Sequence, residues 1–338
     1  MSQSRADVLV IGAGVSGLTT AVCLAEAGAK VRVITKEPPE STTSAAAGAV
    51  WAPYRIGGDS QRIGQWSRRS LEVFTAMAGT DPGGSGVRLL TSMEVAQQPV
   101  SAPEWAPLLD QGAVRPSTPA ELPAGYRYGY RFTIPAIAMP TYLAYLLARL
   151  EAAGSSVSHN IVKSLDAVAQ EEAVAAVVNC TGMGARDLIH DSALRPVRGQ
   201  LVVVENPGVE IGLVEVEAEE TEPVEWAGSA ELTFLIPHGD QLILGGTAEP
   251  DDERSDPDPA TTKAILARCS RLDHRVGHAR VLAERVGFRP ERPEVRVARE
   301  QRGGTTIWHN YGHGDAGVTL SWGCAEQITT SIISAPTS

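Results

Sequence analysis

Two glycine-rich stretches, one near each end of the chain, carry the residue types best suited to holding a reactive cofactor. The first is Gly12-Ala13-Gly14-Val15-Ser16-Gly17. The second runs from His309 to Ala325, HNYGHGDAGVTLSWGCA, and has four glycines and two histidines in 17 residues. Loops with so few bulky side chains let the backbone approach a flat or anionic group closely. We therefore expect the two stretches to hold one dinucleotide between them.

The elements around the first stretch are those that a dinucleotide site requires. An apolar run at residues 7–11 comes directly before it, an apolar helical pattern follows and stops at Gly28, and residues 30–35 form a second apolar run. An acid, Glu37, stands about 20 residues after the last glycine. Strand, G-x-G-x-x-G, helix, strand and acid together make the full dinucleotide-binding fingerprint.

Each glycine of the fingerprint has an expected task. Gly12 makes the tight turn, Gly14 lets the pyrophosphate come close, and Gly17 packs the helix on the strand. Glu37 is the candidate for the ribose hydroxyls, and a solvated loop acid is the alternative, since Lys36 stands where an acid could equally be expected.

Small residues at two further places could approach the same cofactor. Ala47-Gly48-Ala49 suits contact with a ring system, and Thr43 and Ser44 could bond a phosphate or ribose, although Ser44 would also serve as a helix N-cap. Thr181-Gly182 follows a later apolar strand and repeats the order of strand, small-residue turn and helix.

The rest of the chain divides into helical and strand-rich parts. Helical spacing of apolar residues covers 60–77 and 140–153, hairpin-like strands fill much of 195–277, and 262–283 is expected to be helical. The acidic segment 211–230 is expected to be an exposed loop. We predict an α/β protein with a discontinuous Rossmann-like domain (1–60, 140–194 and 284–338) and a β-rich substrate-binding domain (61–139 and 195–283).

Composition excludes several classes of protein. The net charge of −11 argues against nucleic acid or an anionic membrane surface as a general partner. No apolar run reaches the ~18 residues of a spanning helix. The four cysteines lie far apart without a C-x-x-C spacing, the N-terminus lacks a signal-peptide layout, and no metal site is predicted. We expect a cytoplasmic protein with free thiols.

Taken together, these motifs resemble the D-amino-acid oxidase family of flavoproteins. AAGAVWAPY, VVNCTG, RPVRGQ, GFRPERPEVRVAREQ and HNYGHGDAGVTLSWGCA occur in the family's order and cover most of the chain. The resemblance implies FAD as the cofactor and a carboxylate-bearing amine as the substrate. It implies hydride transfer from the α-carbon to flavin N5, reoxidation by O2 to H2O2, and hydrolysis of the imine to a keto acid.

The resemblance also assigns roles to individual residues. Arg289 becomes the clamp for the substrate carboxylate, and Tyr54 a wall of the pocket. Thr319 is expected at the pyrimidine end of the flavin. Contacts to FAD are implied for Gly12, Gly14, Val15, Ser16, Gly17, Lys36, Glu37, Thr43, Ser44, Ala47, Gly48, Ala49, Val162, Thr181, Gly182, Gly314, Gly317, Val318 and Thr319.

The sequence departs from the family pattern at the substrate pocket. Phe234 stands where the family has a tyrosine whose hydroxyl bonds the substrate carboxylate, and Ala230 where it has a lid tyrosine. Asp315 replaces a small residue whose carbonyl receives the substrate amine. A carboxylate here would attract an ammonium and also raise its pKa, or it could simply cap a turn.

Two functions therefore stay open. The first is an FAD-dependent oxidase of a D-amino acid or a related amine. The alternative is a flavin oxygenase of the same fold that acts on a larger aromatic or indolyl keto acid or amino acid in a biosynthetic pathway, with Asp315 as acid or base. The expected partners are the small-molecule substrate and molecular oxygen, and assembly as a homodimer is left open.

Overall fold

A computed structural model of the chain describes residues 7–54, 56–171, 174–217, 230–302 and 305–334. The described residues form a six-stranded and a nine-stranded sheet with helices around them, so the predicted α/β class with a β-rich part is confirmed. The strands are β1 (Asp7–Ile11), β2 (Lys30–Thr35), β3 (Ala49–Val50), β4 (Val87–Ala96), β5 (Arg115–Pro116), β6 (Tyr128–Ile137), β7 (Ser156–His159), β8 (Ala176–Asn179), β9 (Arg195–Glu205), β10 (Gly212–Glu215), β11 (Ala230–His238), β12 (Gln241–Pro250), β13 (Val281–Glu291), β14 (Arg296–Arg302) and β15 (Thr305–Tyr311).

The α-helices have very different lengths, and short 3-10 turns lie between some of them. They are α1 (Val15–Glu26), α2 (Thr43–Ala46), α3 (Ser60–Thr80), α4 (Pro82–Ser85), α5 (Met139–Ala152), α6 (Leu165–Glu171), α7 (Ala185–Leu188), α8 (Pro259–Leu272) and α9 (Gly317–Ile333).

The six-stranded sheet has the order β14-β15-β8-β1-β2-β7, and its five strands from β15 to β7 run parallel. Its central strand β1 is buried on both faces. Val8 and Val10 pack into the core beneath α1, α5 and α9, whereas Leu9 and Ile11 pack into the core beneath α6. This two-sided burial is why β1 and β2 have continuous apolar sequences rather than alternating ones.

Helices α3 and α9 cross unusually closely on one side of this sheet. The Ser70 hydroxyl of α3 accepts hydrogen bonds from the backbone amides of Trp322 and Gly323 in α9, at 3.2 and 3.3 Å. A Cβ added to Gly323 would lie 2.3 Å from the Cα of Trp66. Glycine at position 323 therefore sets the separation of the two helices.

The nine-stranded sheet has the order β13-β9-β12-β11-β10-β4-β6-β3, with β5 beside β6. One face packs on α8 through a core that includes Val202, Leu244 and Cys269. The opposite face carries Leu201 and Ile236, which pack with each other and with Val50 of β3. Leu201 and Ile236 of this second face line a cavity between the two sheets.

Some elements differ from the sequence expectations. Strand β13 extends to Glu291 and pairs with β9 of the nine-stranded sheet, although 284–338 was assigned to the cofactor domain. Helix was expected over 262–283, but α8 ends at Leu272 and β13 begins at Val281. The acidic segment 211–230 contains β10, because Leu213 and Val214 pair with both β4 and β11; its residues 218–229 lie outside the described ranges.

The remaining expectations concern the thiols and the membrane. Cys23, Cys180, Cys269 and Cys324 are free, as predicted. Burial raises the pKa of the Cys180 thiol to about 12, so it stays protonated at neutral pH. No helix in the described part of the chain has both the length and the apolar character needed to cross a membrane.

Replacing Gly323 by alanine tests the α3–α9 contact. We expect Gly323→Ala to destabilise the protein by about 1–3 kcal/mol or more, because the new methyl group overlaps backbone atoms that cannot rotate away. The melting temperature, followed by circular dichroism, should fall by several degrees. Gly79→Ala in α3 is the matched control: nothing lies within 4 Å of its added Cβ, so the melting temperature should stay level or rise. Equal losses in both variants would contradict the packing account.

Candidate cofactor and substrate site

A cavity of about 1950 Å³ runs from the carboxyl ends of β1 and β2 to the inner face of the nine-stranded sheet. Drug-sized ligands occupy cavities of roughly 300–1,000 Å³, so there is room for a dinucleotide and a substrate together. The cavity brings together nearly every site residue predicted from the sequence, and Gly17 and Thr319 are the exceptions among them.

The first glycine loop is shaped by backbone contacts that only glycine allows. Gly12 has φ 106°, and a Cβ there would lie 2.4 Å from the carbonyl oxygen of Cys180. A Cβ on Gly17 would lie 1.9 Å from the carbonyl oxygen of Gly12. Gly14 differs from these two, because it is the N-cap of α1 and opens on the cavity. Its missing side chain leaves space for a ligand.

The N-terminus of α1 is arranged to receive an anion. Gly14 provides no capping side chain, and within the described residues one side chain reaches the first turn: the Ser44 hydroxyl accepts from the Val15 amide at 2.9 Å. Ser16 also lines the cavity. Free amides and the positive end of the helix dipole favour a phosphate at this position.

Lys36 and Glu37 lie beside this loop and line the same cavity. Their side chains are exposed and approach each other, with Lys36 Nζ 3.6 Å from Glu37 Oε1. The Thr35 hydroxyl donates to the backbone carbonyl of Glu37 at 2.7 Å, which fixes the turn after β2. A ribose next to the α1 phosphate position would therefore meet one carboxylate and one ammonium.

The loop between β2 and β3 forms a wall of small residues. Ala47, Gly48 and Ala49 line the cavity, and a Cβ on Gly48 would lie 3.0 Å from Ile243 of the nine-stranded sheet. The Thr43 hydroxyl bonds the backbone of Phe288, donating to its carbonyl at 3.3 Å. Part of the expected cofactor cradle is thus tied to β13, the strand that carries Arg289.

The second glycine loop presents another uncapped helix N-terminus. Gly314 has φ 53°, and the N-cap of α9, Ala316, has no capping side chain. Gly317 and Val318 line the cavity. The Thr319 hydroxyl does not face it, since it donates to the carbonyl of Ala52 at 3.2 Å. Any contact of Thr319 with a flavin would therefore use its amide, which lies in the first turn of the helix.

The residues present fit FAD. Two helix N-termini whose N-cap residues provide no capping side chain face one cavity. They could hold the pyrophosphate and the electron-rich edge of a flavin. An acid stands at the ribose position, and small residues line the space for the ring system. Val162, which follows β7, and Thr181 and Gly182, which follow β8, complete the lining.

Arg289 crosses the nine-stranded sheet from its edge strand. Its side chain passes over Gly199 of β9, where an added Cβ would lie 2.4 Å from Nη1. Nη1 donates to the carbonyl oxygen of Thr247 in β12 at 2.9 Å. The side chain is 18% exposed, so the guanidinium lies in the cavity wall with its position fixed by the backbone.

Asp315 forms an ion pair with Arg289, through Oδ1 and Nε. It is therefore not merely the cap of a turn, which was the alternative left open by the sequence. A guanidinium has five N–H donors, and the ones left over after Asp315 and Thr247 lie on the Nη1 and Nη2 edge. A substrate carboxylate could bind that edge while Asp315 keeps Nε.

Phe234 lies flat on the sheet where a hydroxyl was expected. A Cβ on Gly245 of β12 would lie 1.8 Å from its ring, so the ring rests directly on the glycine backbone. The pocket floor is apolar at this point. Tyr54 also lines the cavity but is 50% exposed, at the outer part of the wall.

A buried network holds the turn that follows Arg289. Asp191 accepts from the Tyr311 hydroxyl at 2.5 Å and pairs with Arg292 at 3.1 Å and Arg296 at 3.4 Å. Burial alone would raise the pKa of Asp191, but the Tyr311 hydroxyl and Arg292 outweigh it and lower that pKa. Asp191 therefore stays charged and joins the turn after β13 to β14 and β15 at one point.

Glu94 was not identified from the sequence. It lies on β4, lines the cavity, and has no hydrogen-bond or ion-pair partner within the described residues. Burial raises the pKa of its carboxyl group to about 7. The alternation of β4 could have placed it on the pocket face, but only if the orientation of that strand in the sheet had been known.

Comparisons with known proteins identify the same cofactor. The family model described as FAD dependent oxidoreductase (DAO) matches residues 7–331. D-amino-acid oxidase of Rubrobacter xylanophilus is 46% identical over 95% of this chain and 94% of its own length. D-amino-acid oxidase of Streptomyces coelicolor is 45% identical over 95% of each chain. The solved glycine oxidase of Geobacillus kaustophilus, 18% identical, has the same fold, with a TM-score of 0.78 over 99% of this chain and 96% of that one.

His313, within the second glycine loop, links stability to pH. Its side chain is 5% exposed, and burial lowers its pKa from 6.5 to about 4. Its Nε2 pairs with Asn310 Oδ1 at 3.1 Å, where the neutral ring can donate. Below pH 6.5 this histidine binds a proton in the unfolded chain but not in the folded chain. The contribution of His313 to the free energy of unfolding is therefore fully present above pH 6.5 and decreases as the pH falls towards 4. About 2 kcal/mol of this contribution is lost when the pH falls from 7 to 5.

We expect His313→Gln to reduce the loss of stability between pH 7 and pH 5. Glutamine can keep a bond to Asn310 but cannot titrate, so the melting temperature should drop less between pH 7 and pH 5 than it does in the wild type. His159→Gln, at an exposed position, should follow the wild type. If His313→Gln loses as much stability on acidification as the wild type, the assignment of a neutral His313 in the folded protein is wrong.

Proposed function

The chain belongs to the DAO family of FAD-dependent oxidoreductases, and from that premise we propose that it oxidises D-amino acids. The substrate loses its α-hydrogen as hydride and its amine proton, giving an imine that water hydrolyses to a keto acid and ammonia. Molecular oxygen takes up the two electrons and two protons and leaves as H2O2. Bound FAD supplies the hydride acceptor at its N5 atom.

The observation that carries the proposal is the position of Arg289 in the cavity wall. Its Nη1 and Nη2 edge can bind a carboxylate through two parallel hydrogen bonds, and a guanidinium is the side chain best matched to that group. Thr247 holds the guanidinium from behind. Because the orientation is fixed before the substrate arrives, binding of the carboxylate also positions the α-carbon.

Asp315 is proposed to receive the α-amino group. Its carboxylate stands on the other side of the same guanidinium, so a zwitterionic amino acid could pair its carboxylate with Arg289 and its ammonium with Asp315. This pairing favours binding but opposes loss of the amine proton, since a nearby negative charge raises the pKa of an ammonium. Hydride transfer requires the neutral amine, so Asp315 tightens binding and slows the chemical step.

Phe234 provides apolar contact for the substrate but no hydrogen bond. The missing hydroxyl removes about 1.5–3 kcal/mol that a neutral donor would contribute to a bound carboxylate. Tyr54 at the outer wall and the FAD contacts assigned from the sequence remain part of the proposal. A homodimer and a cytoplasmic location also remain predictions.

The oxygenase alternative has weaker support. An aromatic residue at position 234 would suit a larger aromatic substrate, yet the relatives at 45–46% identity are both D-amino-acid oxidases. Oxygen-18 gas separates the two functions, because an oxygenase incorporates label into its organic product. An oxidase places the label in H2O2 alone.

Anaerobic mixing of the FAD-loaded protein with D- and L-amino acids tests the proposal. We expect the flavin absorbance to bleach with one or more D-amino acids and to remain with their L-enantiomers. Arg289→Ala should keep the oxidised flavin spectrum but lower the second-order rate constant for bleaching by the substrate by ~100-fold or more. The reason is that removing one partner of a desolvated charge pair costs about 2–5 kcal/mol.

Arg280→Ala is the matched control, since this arginine is on the surface and pairs with Glu205. It should bleach at the wild-type rate. Loss of FAD from Arg289→Ala would show that Arg289 supports the cofactor instead of the substrate. Full activity of Arg289→Ala, or bleaching by no D-amino acid, would contradict the proposed function.

A further inference from the structure

Glu94 stands in a row of residues that crosses the pocket floor. Gly245 of β12 pairs with Phe234 of β11, Phe234 with Val214 of β10, and Val214 with Glu94 of β4. Residues directly opposite each other in a sheet point to the same face. Phe234, Val214 and Glu94 all line the cavity, so the row leads from an aromatic ring through an aliphatic side chain to a carboxylate.

Arg289 lies near the other end of that row, since its contact on β12 is two residues along the strand from Gly245. Its guanidinium reaches Thr247 on β12, three strands away from β4, which corresponds to a lateral distance of about 14 Å at ~4.8 Å per strand. A bound amino acid with its carboxylate on Arg289 would lay its side chain over Phe234 and Val214. A long side chain would bring its end to Glu94.

The carboxylate of Glu94 has no counter-charge of its own. It is partly buried, with no ion-pair or hydrogen-bond partner in the described residues, and the shift of its pKa to about 7 has burial as its cause. A buried carboxylate without a partner is costly in its charged form. A cation beside it would restore that form and be held by it.

Charge complementarity of the pocket favours one class of substrate. Arg289 contributes one positive charge, and Asp315 and Glu94 each contribute one negative charge when ionised. An amino acid with a neutral side chain leaves Glu94 unpaired, and one with an acidic side chain brings two carboxylates together. A side chain that ends in an ammonium or guanidinium leaves none of these three charges unpaired. Arg268 and Arg271, which also line the cavity, already pair with Glu231 and Glu215.

We propose that Glu94 is a specificity-determining residue that selects D-amino acids with a long cationic side chain, such as D-lysine or D-arginine. The apolar stem packs on Phe234 and Val214, and the terminal cation pairs with Glu94 Oε1 or Oε2. This inference rests on the proposed function, because it takes Arg289 as the site of the α-carboxylate.

D-lysine and D-norleucine form the discriminating pair of substrates, since they share the four-carbon stem and differ in the terminal ammonium. We expect kcat/KM of the FAD-loaded wild type to be roughly 10- to 100-fold higher for D-lysine, the range for one hydrogen bond to a charged group. D-glutamate should be a poorer substrate than D-norleucine.

Glu94→Gln removes the charge and keeps the shape. Its D-lysine to D-norleucine ratio should fall to near 1, mainly through a higher KM for D-lysine, while kcat/KM for D-norleucine stays within about threefold of the wild type. Glu94→Asp keeps the carboxylate on a shorter stem, so it should retain a preference for cationic side chains and shift it from D-lysine towards D-arginine. Retention of the flavin spectrum reports on folding in each variant.

Glu217→Gln is the matched control, because Glu217 is an exposed acid that lines the same cavity. Its substrate ratio should equal that of the wild type. An equal fall in Glu217→Gln and Glu94→Gln would mean that general attraction of cations, and not a specific pair, sets the preference. A wild-type ratio near 1 with good turnover of D-norleucine would overturn this inference and leave the proposed function intact, whereas turnover of no D-amino acid would overturn both.

Discussion

The guanidinium of Arg289 lies in the wall of a cavity between two sheets and needs a counter-charge there. The arrangement of the site depends on the residue that provides this counter-charge. Asp315 provides it from the loop that begins α9, so one ion pair joins the edge strand β13 to the cofactor half of the molecule. An unpaired charge in such a place costs several kcal/mol. The same pair sets the charges that a ligand encounters. A ligand carboxylate approaches a guanidinium that Asp315 already neutralises, and a ligand ammonium has the Asp315 carboxylate close by.

The cofactor half of the site could be predicted from the sequence because its geometry is local. Gly17 follows from one strand, one turn and one helix, because an added Cβ there would meet the carbonyl of Gly12. The turn itself also requires glycine at position 12, where φ is 106°. The second glycine loop likewise leads directly into the helix that it opens. Thr319 shows the limit of such reasoning. Its place in the motif was clear, but its hydroxyl bonds Ala52, a residue that comes near only in the folded chain.

The substrate half could be predicted less well, because it depends on which strands become neighbours. Asp315 and Phe234 were recognised as unusual residues, yet the sequence did not show that Asp315 would pair with Arg289. Glu94 was missed because the role proposed for it depends on the pairing of β4, β10, β11 and β12, which places it at the end of a row that starts far away in the chain. Cross-strand register of this kind follows from burial of whole faces and is not visible in any short motif.

Binding of a carboxylate that has no amine tests the balance between Arg289 and Asp315 most directly. The dissociation constant of benzoate can be measured from the flavin absorbance of the wild type and of Asp315→Asn. If Asp315 neutralises Arg289, the variant should bind benzoate ~10- to 100-fold more tightly, since the guanidinium regains its full charge. Asp187→Asn, an exposed acid lining the same cavity, should bind it like the wild type. An unchanged or weaker affinity in Asp315→Asn would contradict the account.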